Sequence, residues 1–172
     1  MAAGSTYTPI ATTTLSSAQA TVDFTGISSA YTDIILIANY GLSLPDESPM
    51  LRVGNGSIDT GSNYSSTELY GTGSSAGSQR TSNATGARIT FAFGGGNSVS
   101  SNSILHFQNY SSTTTYKTIL ERSNVTTGTY QGTSAIVSLW RSTSAINQIR
   151  LYITGGNYLS GSTFTLYGIT AA

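Results

Sequence analysis

Apolar residues in this chain recur at every second position, in short runs, and no segment of ten or more residues carries a clean helical period. A period of two is the spacing of a half-buried strand. The runs are rich in Ile, Leu, Val, Thr, Phe and Tyr, and clusters of Gly, Ser and Asn separate them. That spacing predicts an all-β protein with an antiparallel β-sandwich, jelly-roll-like in its strand number. Strands are expected at 20–24, 31–41, 50–53, 67–71, 88–93, 103–109, 116–123, 134–141, 147–154 and 163–169.

Several runs also predict which side chains face inward. Val22 and Phe24 share one face, as do Leu105 and Phe107, and Ile89, Phe91 and Phe93. Residues 147–154 alternate most cleanly, with Ile149, Leu151 and Ile153 inward and Gln148, Arg150 and Tyr152 outward. In "YTDIILIANYG" Ile34, Leu36 and Ala38 point one way and Ile35 and Ile37 the other, so both faces of this strand need cover. In 134–141 the faces are Ala135, Val137 and Leu139 against Ile136 and Trp140. At the C-terminus, Phe164 and Leu166 oppose Thr165 and Tyr167, with Gly161 as the preceding turn and Gly168 marking a bulge or a close backbone approach. Runs 147–154 and 163–169 are expected to pair as a hairpin through "GGNYLSG".

Residues 1–18 are mostly Thr, Ser and Ala, interrupted by Pro9. They read as an extended N-terminal arm or edge strand preceding a single sandwich domain over 19–172. "SLPDESP" at 43–49 reads as an exposed loop. The polar stretch 54–86 reads as long loops around one short strand.

Composition narrows the function. Only 8% of the residues are charged, against roughly 25% in an average soluble domain. Lys plus Arg and Asp plus Glu number 7 each, so the formal net charge is zero. The six Arg residues are scattered at 52, 80, 88, 122, 141 and 150. Nothing here makes the cationic cluster that nucleic acid or an anionic membrane would demand. Ser and Thr make up roughly a third of the chain, and Leu, Ile, Val and Phe about 21%. With eleven Tyr and no net charge, that is a folded chain and not a disordered one. Low net charge also favours association, as in a subunit of an assembly. The chain has no Cys, so disulfides and thiolate metal sites are excluded. "MAAGSTYTPI" lacks the pattern of a signal peptide, and the longest apolar run, Ile34 to Ala38, is too short to span a bilayer; a cytoplasmic product is expected.

Catalytic patterns are sparse. The one histidine, His106, falls opposite Leu105 and Phe107, on the polar face of its strand, and no G-x-S-x-G elbow occurs. The seven acids, Asp23, Asp33, Asp46, Glu47, Asp59, Glu68 and Glu121, are well spread except in the proline loop, so no glycosidase pair is evident. "DTGSN" at 59–63 has calcium-like steps at Asp59, Gly61 and Asn63 but lacks further carboxylates, and reads better as an Asx-type turn. "FGGGNS" at 93–98 has neither a Lys nor a following helix, so it is no phosphate loop. The five Asn-x-Ser/Thr sites, at Asn55, Asn63, Asn83, Asn109 and Asn124, follow from the Ser/Thr content alone. The chain is therefore expected to be no enzyme and to carry no cofactor or metal. Tyr64, Tyr70, Tyr110 and Tyr116 are candidate contacts for a glycan or a protein partner, or else they fill the core and subunit interfaces.

Four stretches together, "ATVDFTGISSAYTDIILIA", "TGSNYSSTELYGTGSSAGSQR", "FQNYSSTTTYKTILERSN" and "VSLWRSTSAINQIRLYITGGNYLSGSTFTLYGI", resemble small β-rich virion proteins of tailed bacteriophages, cyanophages included. The resemblance covers most of residues 20–169. It implies a non-enzymatic virion structural role on either head or tail, with assembly following synthesis in the host cytoplasm. The absence of a coiled-coil or repetitive shaft favours a capsid cement or decoration protein. Such a subunit would be trimeric, bound to the major capsid protein or another virion protein, with residues 1–18 contacting a neighbour or the capsid. The alternative is a tail fibre or receptor-binding domain that recognises host polysaccharide.

Overall fold

The computed structural model describes residues 6–44, 47–90, 99, 101–126 and 131–170. Among them the secondary structure is strand throughout, with no helix. The strands are β1 (Tyr7–Thr14), β2 (Thr21–Thr25), β3 (Asp33–Tyr40), β4 (Met50–Asn55), β5 (Ser57–Ile58), β6 (Tyr64–Gly71) and β7 (Ala76–Ala84). They continue with β8 (Ala87–Arg88), β9 (Ser101–Phe107), β10 (Lys117–Thr126), β11 (Gln131–Trp140), β12 (Gln148–Tyr152) and β13 (Thr163–Ile169).

They form two antiparallel sheets. The larger has eight strands in the order β1-β13-β3-β9-β10-β11-β6-β7; the smaller runs β2-β12-β4-β5, with β8 also on β4. The antiparallel sandwich is as the sequence leads one to expect. Within the large sheet, β9, β10 and β11 run as a meander, and the jelly-roll order is not established by this connectivity.

The core lies between the sheets. Val22, Phe24, Leu51, Val53, Ile149 and Leu151 from the small sheet face Ile34, Leu36, Leu105, Phe107, Phe164 and Leu166 from the large one, all at most 4% exposed. Period-two alternation explains the sidedness: β12 reads half-buried, buried, half-buried along its length, and β13 does the same.

The hairpin expected of β12 and β13 does not form. β12 pairs with β2 and β4, whereas β13 pairs with β1 and β3. Each is an interior strand of its own sheet, so the matching alternation reflects two similar environments and not mutual pairing. "GGNYLSG" instead carries the chain from one sheet to the other. Tyr158 in this crossover is fully buried and packs edge-on against Tyr40 (centroids 5.7 Å apart) and Phe164 (5.0 Å). Gly161 makes the turn with φ of +85°. At Gly168 the requirement is a close approach: an added Cβ would lie 2.3 Å from Cδ1 of Tyr31.

Residues 7–14 are the edge strand of the large sheet, paired with β13 from Tyr7↔Ile169 to Thr14↔Thr163. The register shifts between Pro9 and Ala11, and this bulge with its proline blunts the edge against further pairing. The opposite edge, β7, pairs with β6 through a register shift near Tyr64, and Asn83 there has φ of +54°. β7 was not legible as a strand because "AGSQRTSNA" contains no apolar alternation. The expected inward positions of Phe91 and Phe93, the "FGGGNS" turn, the first five residues of the arm, and Pro45 and Asp46 of the proline loop lie outside the described residues.

Candidate docking face

The inner face of the large sheet is covered, and the outer face is not. Alternation on β3 buries Ile34, Leu36 and Ala38 completely and leaves Ile35 and Ile37 half-buried on the outside. Among the described residues nothing buries this second face fully. Register extends the surface sideways. Ile35 stands opposite His106, then Leu120, then Val137 across β3, β9, β10 and β11. One row further along, Ile37, Ile104, Arg122, Ala135 and Leu69 follow each other from β3 to β6.

Most of this surface is apolar. Leu69 is 63% exposed, and Leu120 and Val137 are 43% exposed. With Ile35, Ile104 and Ala135 they line a depression of about 460 Å³. Contiguous apolar surface of this kind on a folded chain marks an interaction site, whereas scattered single residues do not. Two polar groups interrupt it. His106 Nε2 lies 2.9 Å from Asp33 Oδ2, and the other Asp33 oxygen accepts the Asn109 N–H at 2.7 Å. That pairing holds the imidazole against Asp33, and among the described residues no serine hydroxyl bonds to it. Arg122 has no ion-pair partner among the described residues.

Two of the four candidate tyrosines are structural. Tyr64 is completely buried; its hydroxyl accepts the Val53 N–H (3.0 Å) and lies within reach of the Val53 and Asp59 carbonyls. Tyr110 is also completely buried and donates to the Ser28 carbonyl. Neither ring has a face to offer a sugar. Tyr70 is half-buried at the end of β6, and Tyr116 is 55% exposed in the loop before β10. The four do not come together.

"DTGSN" is an Asx-type turn. Asp59 Oδ1 accepts the Gly61 N–H at 2.8 Å; Oδ2 accepts Asn63 Nδ2 at 2.9 Å and the Trp140 indole N–H at 2.7 Å. Donors therefore occupy both carboxylate oxygens that a cation would require. Burial alone would raise the Asp59 pKa, but the bonds from Trp140, Asn63 and Gly61, with the Arg52 charge, outweigh it and lower the pKa. No group of three or more metal-ligating side chains occurs among the described residues. The cluster ties the small sheet to the large one: Asp59 N–H donates to Val53 O (2.9 Å) on β4, and Trp140 ends β11. Arg141 extends it, donating to Ser65 Oγ (2.6 Å) and Asn83 Oδ1 (2.9 Å).

Comparison with protein-family models, with curated proteins and with solved structures finds no match to the chain.

Proposed function

We propose that the chain is a non-enzymatic structural subunit of a phage virion, docked on the assembled capsid shell as a cement or decoration protein. The observation that carries this reading is the uncovered apolar outer face of the large sheet, centred on Leu120 and Val137. The resemblance of residues 20–169 to phage virion proteins supplies the kind of assembly. A subunit that binds only the assembled shell stabilises it by mass action.

Arg122 says something about the partner. In this chain Asp23 is paired with Arg150, Asp33 with His106, Asp59 is fully hydrogen-bonded, and Glu68 and Glu121 are buried. On this reading the docking partner is a shell protein whose apolar surface includes a carboxylate to set against Arg122. Trimerisation belongs to the same proposal and is read by sedimentation. A clamp by residues 1–18 is narrowed by the pairing of 7–14 within the sheet. Imaging particles labelled with antibody to the chain tests the proposal. Label on the head is the expected result; label at the tail favours the fibre reading instead, and unlabelled particles overturn a virion role.

A further inference from the structure

Two glutamates face the interior of the large sheet. Glu121 on β10 and Glu68 on β6 stand in one row of the register, on either side of Ile136 on β11, and are 2% and 3% exposed. Leu105 on β9 flanks Glu121 in this row, and Gln79 on β7 flanks Glu68. Gln79 Nε2 donates to Glu68 Oε2 at 2.6 Å. Glu68 Oε1 and both oxygens of Glu121 have no hydrogen-bond partner. The neighbouring inner positions mix apolar and hydroxyl side chains: Phe107, Ile119, Ser138 and Ser66 on one side, and Ser103, Ser123, Ser134 and Tyr70 on the other. Ser123 and Ser134 bond each other at 2.7 Å, and Tyr40 bonds Ser103 at 3.0 Å.

Among the described residues no cation pairs with either carboxyl. Lys117, on the same face of β10, donates instead to the carbonyls of Thr115 (2.7 Å) and Thr143 (3.2 Å). β9 and β11 present no titratable side chain on their inner faces. β3 contributes Tyr40, a neutral phenol whose pKa is pushed up to about 12 by burial. Arg88 on β8 makes no ion pair with either carboxyl. Two unpaired carboxylates cannot both be charged in such a site without a large desolvation and repulsion cost.

We propose that Glu121, set beside Glu68, makes the β6–β10–β11 end of the large sheet a proton-controlled latch, closed while Glu121 is a neutral acid and loosened when Glu121 loses its proton. Burial raises Glu121 well above the usual carboxylate range, and the Glu68 charge adds to the rise. The sign follows. A group whose folded pKa is raised contributes stability that is complete below its unfolded value of 4.5 and is lost as pH rises towards the folded one. The device is independent of the docking reading, although the same three strands carry Leu69, Leu120 and Val137 on their other face.

The test is urea unfolding of the full chain at intervals from pH 5 to 9, with amide hydrogen exchange to locate the change. Wild type is expected to lose stability as pH rises, at up to about tenfold in the unfolding equilibrium per pH unit. Exchange should rise first in β6, β10 and β11, ahead of β1, β13 and β3. Glu121→Gln should remove the slope that Glu121 contributes and be the more stable protein at pH 9. Glu68→Gln, which removes the repulsion and leaves Glu121 in place, should flatten the slope in part. His106 is paired with Asp33 on the outer face, so each comparison is made in a His106→Gln background that removes this second ionisable pair. Equal pH slopes in the two backgrounds with and without Glu121→Gln would overturn the latch. So would a loss of protection that begins at the β1 edge. If Glu121→Gln does not fold, an unaltered slope in Glu68→Gln overturns it equally.

Discussion

Phe164 offers the most direct check of the packing between the sheets. It is fully buried at the start of β13, opposite Ala38 on β3 and Thr13 on β1, with the Tyr158 ring edge-on at 5.0 Å. Truncation to alanine removes a whole aromatic ring from a site walled by the interior strand β3, the edge strand β1 and a pinned crossover. Such a site collapses little. The expected cost is therefore in the upper part of the range for buried aromatics, about 4 kcal/mol, lost transfer and residual cavity together. For a domain of this size that is a fall of roughly 12 °C in Tm. Thr165→Ala is the internal control: its neighbour on the outer face is half-buried and loses only a 3.2 Å hydroxyl contact to Thr12. Its expected cost is under about 1 kcal/mol. Scanning calorimetry of the two proteins decides the matter. Equal, small shifts for both would refute the assignment of β13 as a central core strand and return the C-terminus to the status of a loosely held tail.

Other substitutions probe particular contacts. Trp140→Phe deletes the indole donor to Asp59, which keeps some access to water, so the expected loss is about 1 kcal/mol at pH 7 by denaturant titration. Because the Asp59 pKa is lowered, its contribution is present above the unfolded value of 3.8 and lost as pH falls through the folded one; the gap between wild type and variant should close in acid. Gly168→Ala forces Tyr31 to move and should cost about 1–3 kcal/mol, read as a lowered Tm. Deleting residues 2–14 strips β1 from β13 and exposes an unblunted edge, so loss of stability on the order of 3 kcal/mol and aggregation in light scattering are expected.

Much of the fold can be read from the chain, because an interior strand writes its sidedness in alternation. Residues 163–169 and 148–152 appear where the pattern puts them, and so do the inward residues of β2 and β9. Alternation is silent about partners, which is why two similar strands in different sheets resemble a hairpin. It is also silent where the edge strand is polar on both faces, as in β7, or broken by proline, as in β1. The docking face was visible only in part. Ile35 and Ile37 announce a second face that needs cover, but register alone brings Leu120, Val137 and Leu69 alongside them from distant parts of the chain. The buried glutamates carried a signal that was easy to pass over: Glu121 alternates in phase with Ile119 and Val125, and Glu68 with Tyr64. A charged residue in an inward phase breaks the expectation that such positions are apolar. Tyr64 and Tyr110 show the converse difficulty, since a tyrosine in a loop-like context can be pinned in the core by its hydroxyl.

The central claim is that the outer face of the large sheet holds this subunit on its shell. Leu120→Glu and Val137→Glu place a charge on that face at positions 43% exposed in the free chain, so the domain should fold with wild-type Tm. Binding of each purified variant to shells stripped of the subunit, followed by co-sedimentation, is the decisive measurement. The account predicts that affinity falls by at least about 100-fold, because the new carboxylate is buried without a partner in the complex. Wild-type occupancy by a folded Leu120→Glu protein would contradict it.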